Sequence, residues 1–341
     1  MLGRLAPPLG DEFIHVETTS AIALLVAAVA ALVWANVDGS GYAAWWSSDL
    51  TVGVGDVAIT ATRHACVNDG LLSIFFLLVG LELKRELVSG ELRDRRRVVL
   101  PALAALGGMA AAALLFVATR TGTDADGGWA VPMATDIPFA LGVLAIAGRK
   151  LPPGARLFLL SLALFDDLAS LVVIAVFFSG GVSATVVAAG LGLLVPARPI
   201  RGRRVLEQME HWLLPVSSFV VIPLFALANA GIDVGGVGAG RVTLGVVAGR
   251  VVGKPLGIVV ITALAMRMGL GVLPSGVRLR DVVAIGTVAG IGFTVALFVA
   301  DRALEGPALA EARSGTLLAA VVSAALGAVL LLRASAGHRR T

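Results

Sequence analysis

The chain has 341 residues, 57% of them hydrophobic and 15% charged, with a mean hydropathy of +0.92. Soluble domains carry about 25% charged residues, so this composition excludes an ordinary soluble fold and indicates an integral membrane protein. The net charge of +4 does not indicate nucleic acid, because the basic residues are scattered through short loops and form no single face or tail. The single cysteine, Cys66, excludes an intramolecular disulfide and lacks zinc-type spacing. No cofactor is called for.

Ten stretches approach the roughly 20 residues needed to span hydrocarbon: 19–36, 68–83, 98–119, 129–148, 155–178, 182–196, 213–229, 244–266, 282–300 and 316–332. The first begins near Ser20, after Asp11, Glu12 and Glu17, and no small-x-small cleavage site follows. It therefore reads as a retained helix and not a signal peptide. The loop at 37–67, rich in Gly, Trp and Asp, is expected to fold as a small surface cap. Trp34, Trp45 and Trp46 are expected as interfacial anchors. The sixth stretch, Val182 to Val195, has about 14 apolar residues, and ~21 Å of helix is too short to cross upright.

Basic residues alternate in density from loop to loop. With the N-terminus placed in the cytoplasm, 20 fall on the cytoplasmic side, 5 on the other, and Arg250 and Lys254 within a span. Lysine and arginine bias sets orientation, so both termini are expected to be cytoplasmic.

Polar residues interrupt several spans. The fourth carries Asp136 between Pro132 and Pro138. Proline removes a backbone donor and obstructs the preceding turn, so an unwound segment is expected at Thr135 and Asp136. Such a break is tolerated in hydrocarbon only where protein buries it or it lines a cavity. The fifth carries Asp166 and Asp167 inside the apolar run Leu157 to Phe178. A charge at the membrane centre costs at least about 2.5 kcal/mol, so a cation is expected to meet this pair. The eighth carries Lys254 directly before Pro255, and the ninth is weakened at Gly290 and Gly292.

The fourth and ninth spans are the middle members of two groups of three. These groups, 98–178 and 244–332, are separated by helices in 182–229 and start on opposite sides of the membrane. The fold expected is therefore an all-α polytopic membrane protein of about ten transmembrane helices, a single domain over 1–341, with an inverted three-helix repeat. Interrupted segments at corresponding positions of two halves point to a transporter site at the midplane. Where the breaks cross, half-helix ends carry about half a charge each. Asp136 has the sign to offset the N-termini, and Lys254 the sign to offset the C-termini or to pair with a carboxylate.

The blocks Phe75–Leu87, Ala134–Leu144, Asp166-Asp167, Pro223–Gly231, Gly253–Gly257 and Gly290–Thr294 together resemble the NhaA family of bacterial sodium/proton antiporters, in the family's order from about residue 17 to the last span. The resemblance implies exchange of sodium or lithium for protons across the inner membrane, in the service of sodium extrusion and pH homeostasis. It implies that Asp166 and Asp167 form the cation and proton site, with Thr135 and Asp136 beside them. Lys254 is then the lysine that pairs with Asp166 in the absence of sodium. The resemblance also places Glu82, Glu86, Glu210 and His211 in the cytoplasmic region associated with pH regulation. Sodium or lithium, protons and membrane lipid are the implied partners, with a second copy of the chain as a candidate.

Two departures stand out. Family members usually have twelve spans, whereas here the fifth runs through Ser179-Gly-Gly181 into a segment resembling the family's eighth, so two spans are missing. Ser183 stands where the family often has a histidine. An inactive or partner-dependent shortened relative is therefore one alternative. An intramembrane aspartyl protease is another, although its two carboxylates come from different helices while these are adjacent. A prenyl-transfer enzyme would need a further acidic residue near Asp166 and Asp167.

Overall fold

The computed structural model describes residues 11–54, 57–88, 95–178, 183–197, 204–233, 235 and 240–337. Twelve helices are labelled here in chain order: α1 (Asp11–Val37), α2 (Gly39–Ser47), α3 (Arg63–Val88), α4 (Arg95–Thr119), α5 (Ile137–Ala147), α6 (Pro153–Phe178), α7 (Ala184–Leu194), α8 (Val205–Asn229), α9 (Arg241–Arg267), α10 (Leu279–Ala289), α11 (Thr294–Ala303) and α12 (Gly306–Gly337). One short hairpin, β1 (Asp49–Val54) against β2 (Val57–Thr62), lies between α2 and α3. With α2 it fills the loop expected to form a cap.

Seven helices are long and apolar enough to cross a membrane, and α10 with α11 forms an eighth span bent by 53°. With two short apolar helices, α5 and α7, these account for the ten expected segments. The fourth and sixth expected spans are the short helices α5 and α7, of 11 residues each. At 1.5 Å per residue neither exceeds about 17 Å. For α5 the cause is the proline-flanked break. For α7 it is the brevity of its apolar run.

The buried core is apolar, and so is much of the outer surface. Val26, Leu114, Val321 and Leu332 are exposed on the outer faces of α1, α4 and α12, while Asp136, Asp166, Arg250 and Lys254 are buried. Lipid-facing apolar surface of this kind needs no aqueous partner. Trp45 is exposed, as an interfacial anchor would be, but Trp46 is buried and packs edge-on to Tyr42 at 6.3 Å.

Glycines bring helices together where backbones touch. On the α4–α9 seam, a Cβ at Gly257 would meet the Gly107 carbonyl oxygen and lie 2.7 Å from the Ala111 Cβ, and one at Gly108 would lie 2.7 Å from Ile258 Cγ1. Close approach of this kind supplies packing that a purely apolar interface in lipid cannot draw from solvent. Gly257→Val is expected to lower stability by about 2 kcal/mol or more, read as a lower melting midpoint in detergent. α3 and α7 meet in the same way through Gly80 and Gly192.

α1 and α2 are pinned to the end of α8 and the residues just after it. The Tyr42 hydroxyl donates to the Leu227 carbonyl at 2.8 Å, and the Asn36 amide donates to the Ile232 carbonyl at 2.8 Å. Burial pushes the Tyr42 phenol up to about 12, against the opposing pull of the Gly231 backbone and Arg313. Tyr42 is the only tyrosine in the chain, so absorbance near 295 nm reports it alone. Its midpoint is expected near 12 in the folded protein and near 10 after denaturation. The protonated form is the one favoured by folding, so this contribution is complete below pH ~10 and lost as pH rises toward 12.

Candidate ion site at the crossing of two broken helices

The fourth segment enters as a 3₁₀ turn over Asp126–Ala130, continues in a turn at 131–133, is unwound at 134–136 with Asp136 extended, and becomes helical again at Ile137. Pro138 lies in the first turn of α5, where its missing N–H is no loss. Asp136 is the N-cap of that helix, with its side chain accepting from the Phe139 N–H at 3.4 Å. The ninth segment breaks between α10 and α11 at 290–293. The breaks are tied main chain to main chain, Asp136 N–H donating to the Ile291 carbonyl at 2.8 Å. Gly292 is required by this contact, since a Cβ there would strike the Ala134 carbonyl and the Arg250 guanidinium.

The side chains predicted to act together do converge. Asp166 is fully buried on α6, and its Oδ2 lies 2.7 Å from Lys254 Nζ. Lys254 also donates to the Thr135 hydroxyl at 2.7 Å and to the Met133 carbonyl. Its three protons are thereby used. The Thr135 oxygen lies 2.5 Å from Asp166 Oδ2 and 2.8 Å from the Ala289 carbonyl. Asp136 Oδ2 accepts from the Thr294 N–H at 3.2 Å and the Thr294 hydroxyl at 3.0 Å. One carboxylate thus touches the N-terminal ends of both α5 and α11.

Asp167 faces elsewhere. It lines a cavity of about 80 Å³ whose wall includes Thr135, Asp136, Thr294, Ser217, Ser218 and Glu82. That is space for two or three waters at about 30 Å³ each. Asp166 Oδ1 and Asp167 Oδ1 have no hydrogen-bond partner among the described residues. A buried carboxylate oxygen left this way is costly unless a cation or proton joins it. Among the described residues no three His, Cys, Asp or Glu side chains are grouped to hold a metal, so this is no closed metal cage.

The cavity reaches Glu82, and beyond it on α3 Arg85 pairs with buried Glu210 of α8 and, at 3.3 Å, with Glu86. His211 is exposed. The opposite end of α3 is held by a cluster of polar side chains. Asn68 donates to Asp301 at 3.0 Å, Arg313 pairs with Asp301 at 2.9 Å, Asn229 donates to Asn68 at 2.8 Å, and Arg302 pairs with Asp69. The junction at 179–182 and the basic residues Arg4, Arg93, Arg198, Arg201, Arg203, Arg339 and Arg340 lie outside the described residues.

Arg250 is the residue that sequence reading passed over. It is fully buried, donating to the Val131 carbonyl at 2.7 Å and the Gly290 carbonyl at 3.4 Å. Its only signal is a basic residue one helical turn before Lys254. A wide π turn at Gly249–Gly253 carries it, just ahead of Pro255, which cannot donate to close the ordinary ladder.

Two interrupted helices crossing at a buried carboxylate pair, with a small cavity reaching one carboxylate, define an ion-coupled membrane transporter and not an enzyme. The family model described as Na+/H+ antiporter 1 matches residues 11–182 and 177–331, and the chain belongs to that family. A Na(+)/H(+) antiporter NhaA 2 of Sorangium cellulosum is 37% identical, the match covering 96% of this chain and 91% of that protein. A Na(+)/H(+) antiporter NhaA of an Acidovorax species is 39% identical over 92% of this chain and 89% of its own. One from Aeromonas salmonicida is 35% identical, covering 96% of each. The Sorangium alignment runs to 426 positions against 341 residues here, so that relative carries internal segments this chain lacks. The two stretches matched by the family model meet at 177–182, where the sequence places the missing pair.

Proposed function

We propose that this chain exchanges sodium or lithium for protons across the bacterial inner membrane, for sodium extrusion and pH homeostasis. In this reading Asp166 and Asp167 take up either the metal ion or protons, so binding of one releases the other. Lys254 holds Asp166 while the site is empty of sodium. Asp136 offsets the half-helix N-termini. Residues 98–178 and 244–332 are the inverted halves that carry the crossing, within one domain. Both termini lie in the cytoplasm, following the basic-residue bias, which puts the Glu82 end of the cavity on the cytoplasmic side. Glu82, Glu86 and Glu210, grouped about Arg85, then sit at the mouth through which ions enter from the cell, where charge affects access as pH changes. The observation that carries the reading is Asp167 at the wall of the cavity, adjacent to an Asp166 held by Lys254.

The test is made in inside-out vesicles with an acid-inside proton gradient, its collapse followed by a pH dye after sodium is added. The parent chain is expected to show sodium-dependent collapse, and Asp166→Asn none. A second reading, an inactive or partner-dependent relative, is favoured by the internal segments present in the Sorangium protein and absent here. No collapse with folded parent protein in the membrane would establish it.

A further inference from the structure

Arg250 is a charge without a carboxylate. Among the described residues no Asp or Glu lies within ion-pair distance of it, and its guanidinium is met by main-chain oxygens, Val131 at 2.7 Å and Gly290 at 3.4 Å. These oxygens have a special position. Val131 lies in the closing turn of the first half of the fourth segment, and Gly290 caps the C-terminal end of α10. The C-terminus of α10 carries about half a negative charge, and the Val131 carbonyl closing the short 3₁₀ turn adds its own dipole, so partial negative charge meets the guanidinium from both breaks. Asp136 stands in the mirror relation, one negative charge against the N-terminal ends of α5 and α11.

This matching changes what is left for Lys254. It touches one C-terminal carbonyl, Met133, but its ion pair is with Asp166. A guanidinium stays protonated throughout the biological pH range, whereas Lys254 must release Asp166 whenever a sodium ion takes that carboxylate.

We propose that Arg250 is the fixed counter-charge of the crossing, a positioning residue that ties the C-terminal ends of both half-helices and leaves Lys254 free to exchange partners. The forked guanidinium reaches both ends at once, and its charge is constant while Lys254 and Asp166 part and rejoin. The inference rests on the exchange reading above, and it separates two duties that sequence alone assigned to one lysine.

The test compares Arg250→Met, Arg250→Lys and Lys254→Gln, each measured as sodium-dependent exchange per folded protein in vesicles and as a melting midpoint in detergent. Arg250→Met is expected to lower the midpoint by roughly 5–10 °C and exchange at least about tenfold. Arg250→Lys, which restores the charge, is expected to recover exchange to within about threefold of the parent. Lys254→Gln breaks a buried pair that Asp166 can relieve by taking up a proton, so it is expected to melt below the parent but above Arg250→Met while losing exchange. The proposal is overturned if Arg250→Met melts and exchanges like the parent, if Arg250→Lys is as impaired as Arg250→Met, or if Lys254→Gln melts as low as Arg250→Met. Should Arg250→Met fail to fold, the other two variants still decide. Should the parent itself show no exchange, the exchange reading fails, and the order of the three midpoints tests the placement of the charge by itself.

Discussion

Asp167→Asn is expected to abolish sodium-dependent proton movement, by at least about 100-fold, in a protein that still folds. Asparagine has the same shape and retains an oxygen, but it releases no proton and offers sodium no charge. A charged ligand in a water-poor site is worth about 3 kcal/mol or more, which is the size of the loss expected. The fold is spared for a specific reason. Asp167 Oδ1 has no partner among the described residues, and the side chain faces a cavity, so removing its charge strands no cation. Asp166→Asn differs, because it leaves Lys254 without its carboxylate, and some loss of stability is expected with the loss of exchange. A melting curve beside the vesicle assay separates the two effects. Exchange at the parent's rate by folded Asp167→Asn would remove this residue from the site.

Asp136→Ala has the second large effect, this time on the fold. The carboxylate accepts from Phe139 N–H, Thr294 N–H and the Thr294 hydroxyl. Each buried donor left bare costs about 1–3 kcal/mol, and three together are a large share of the 5–15 kcal/mol that holds a typical domain folded. The variant is expected to melt at least about 10 °C lower and to accumulate poorly in the membrane. Asp136→Asn keeps an acceptor oxygen and loses the charge, so it is expected to fall between the two. A midpoint for Asp136→Ala within a few degrees of the parent would show that the crossing does not depend on this cap.

The two breaks and the buried pair were legible because their chemistry is local. Two prolines six residues apart, or two aspartates inside an apolar run, violate the requirements of a membrane helix wherever the chain later goes. Helix ends were less legible. Hydropathy reports the thickness of hydrocarbon, while backbone hydrogen bonding continues past it, so α1 starts at Asp11 and α12 runs from Gly306 to Gly337, beyond the expected 19–36 and 316–332. Arg250 went unread because its partners are carbonyl oxygens, which every residue possesses and no sequence pattern marks. The cluster at the other end of α3 was missed for a different reason. Asn68 and Asp301 are separated by 233 positions, and neither is unusual in its own segment. The β1–β2 hairpin was missed although Leu50, Val52 and Val54, then Val57 and Ile59, alternate along its strands, because the stretch was read by its Gly, Trp and Asp content as a cap and not by its period.

The five charged side chains at the crossing have an electrical consequence. With all of them ionised, Asp136, Asp166 and Asp167 outnumber Arg250 and Lys254 by one, so the empty site is one unit negative and a single sodium ion brings it to zero. On the exchange proposed above, a sodium-loaded core would move through the membrane field without electrical work. A core returning with two protons would carry one positive charge, on which the field acts at about 2.3 kcal/mol per 100 mV if the whole potential is crossed. Membrane voltage would therefore govern the proton-bearing half of the cycle and leave the sodium-bearing half untouched.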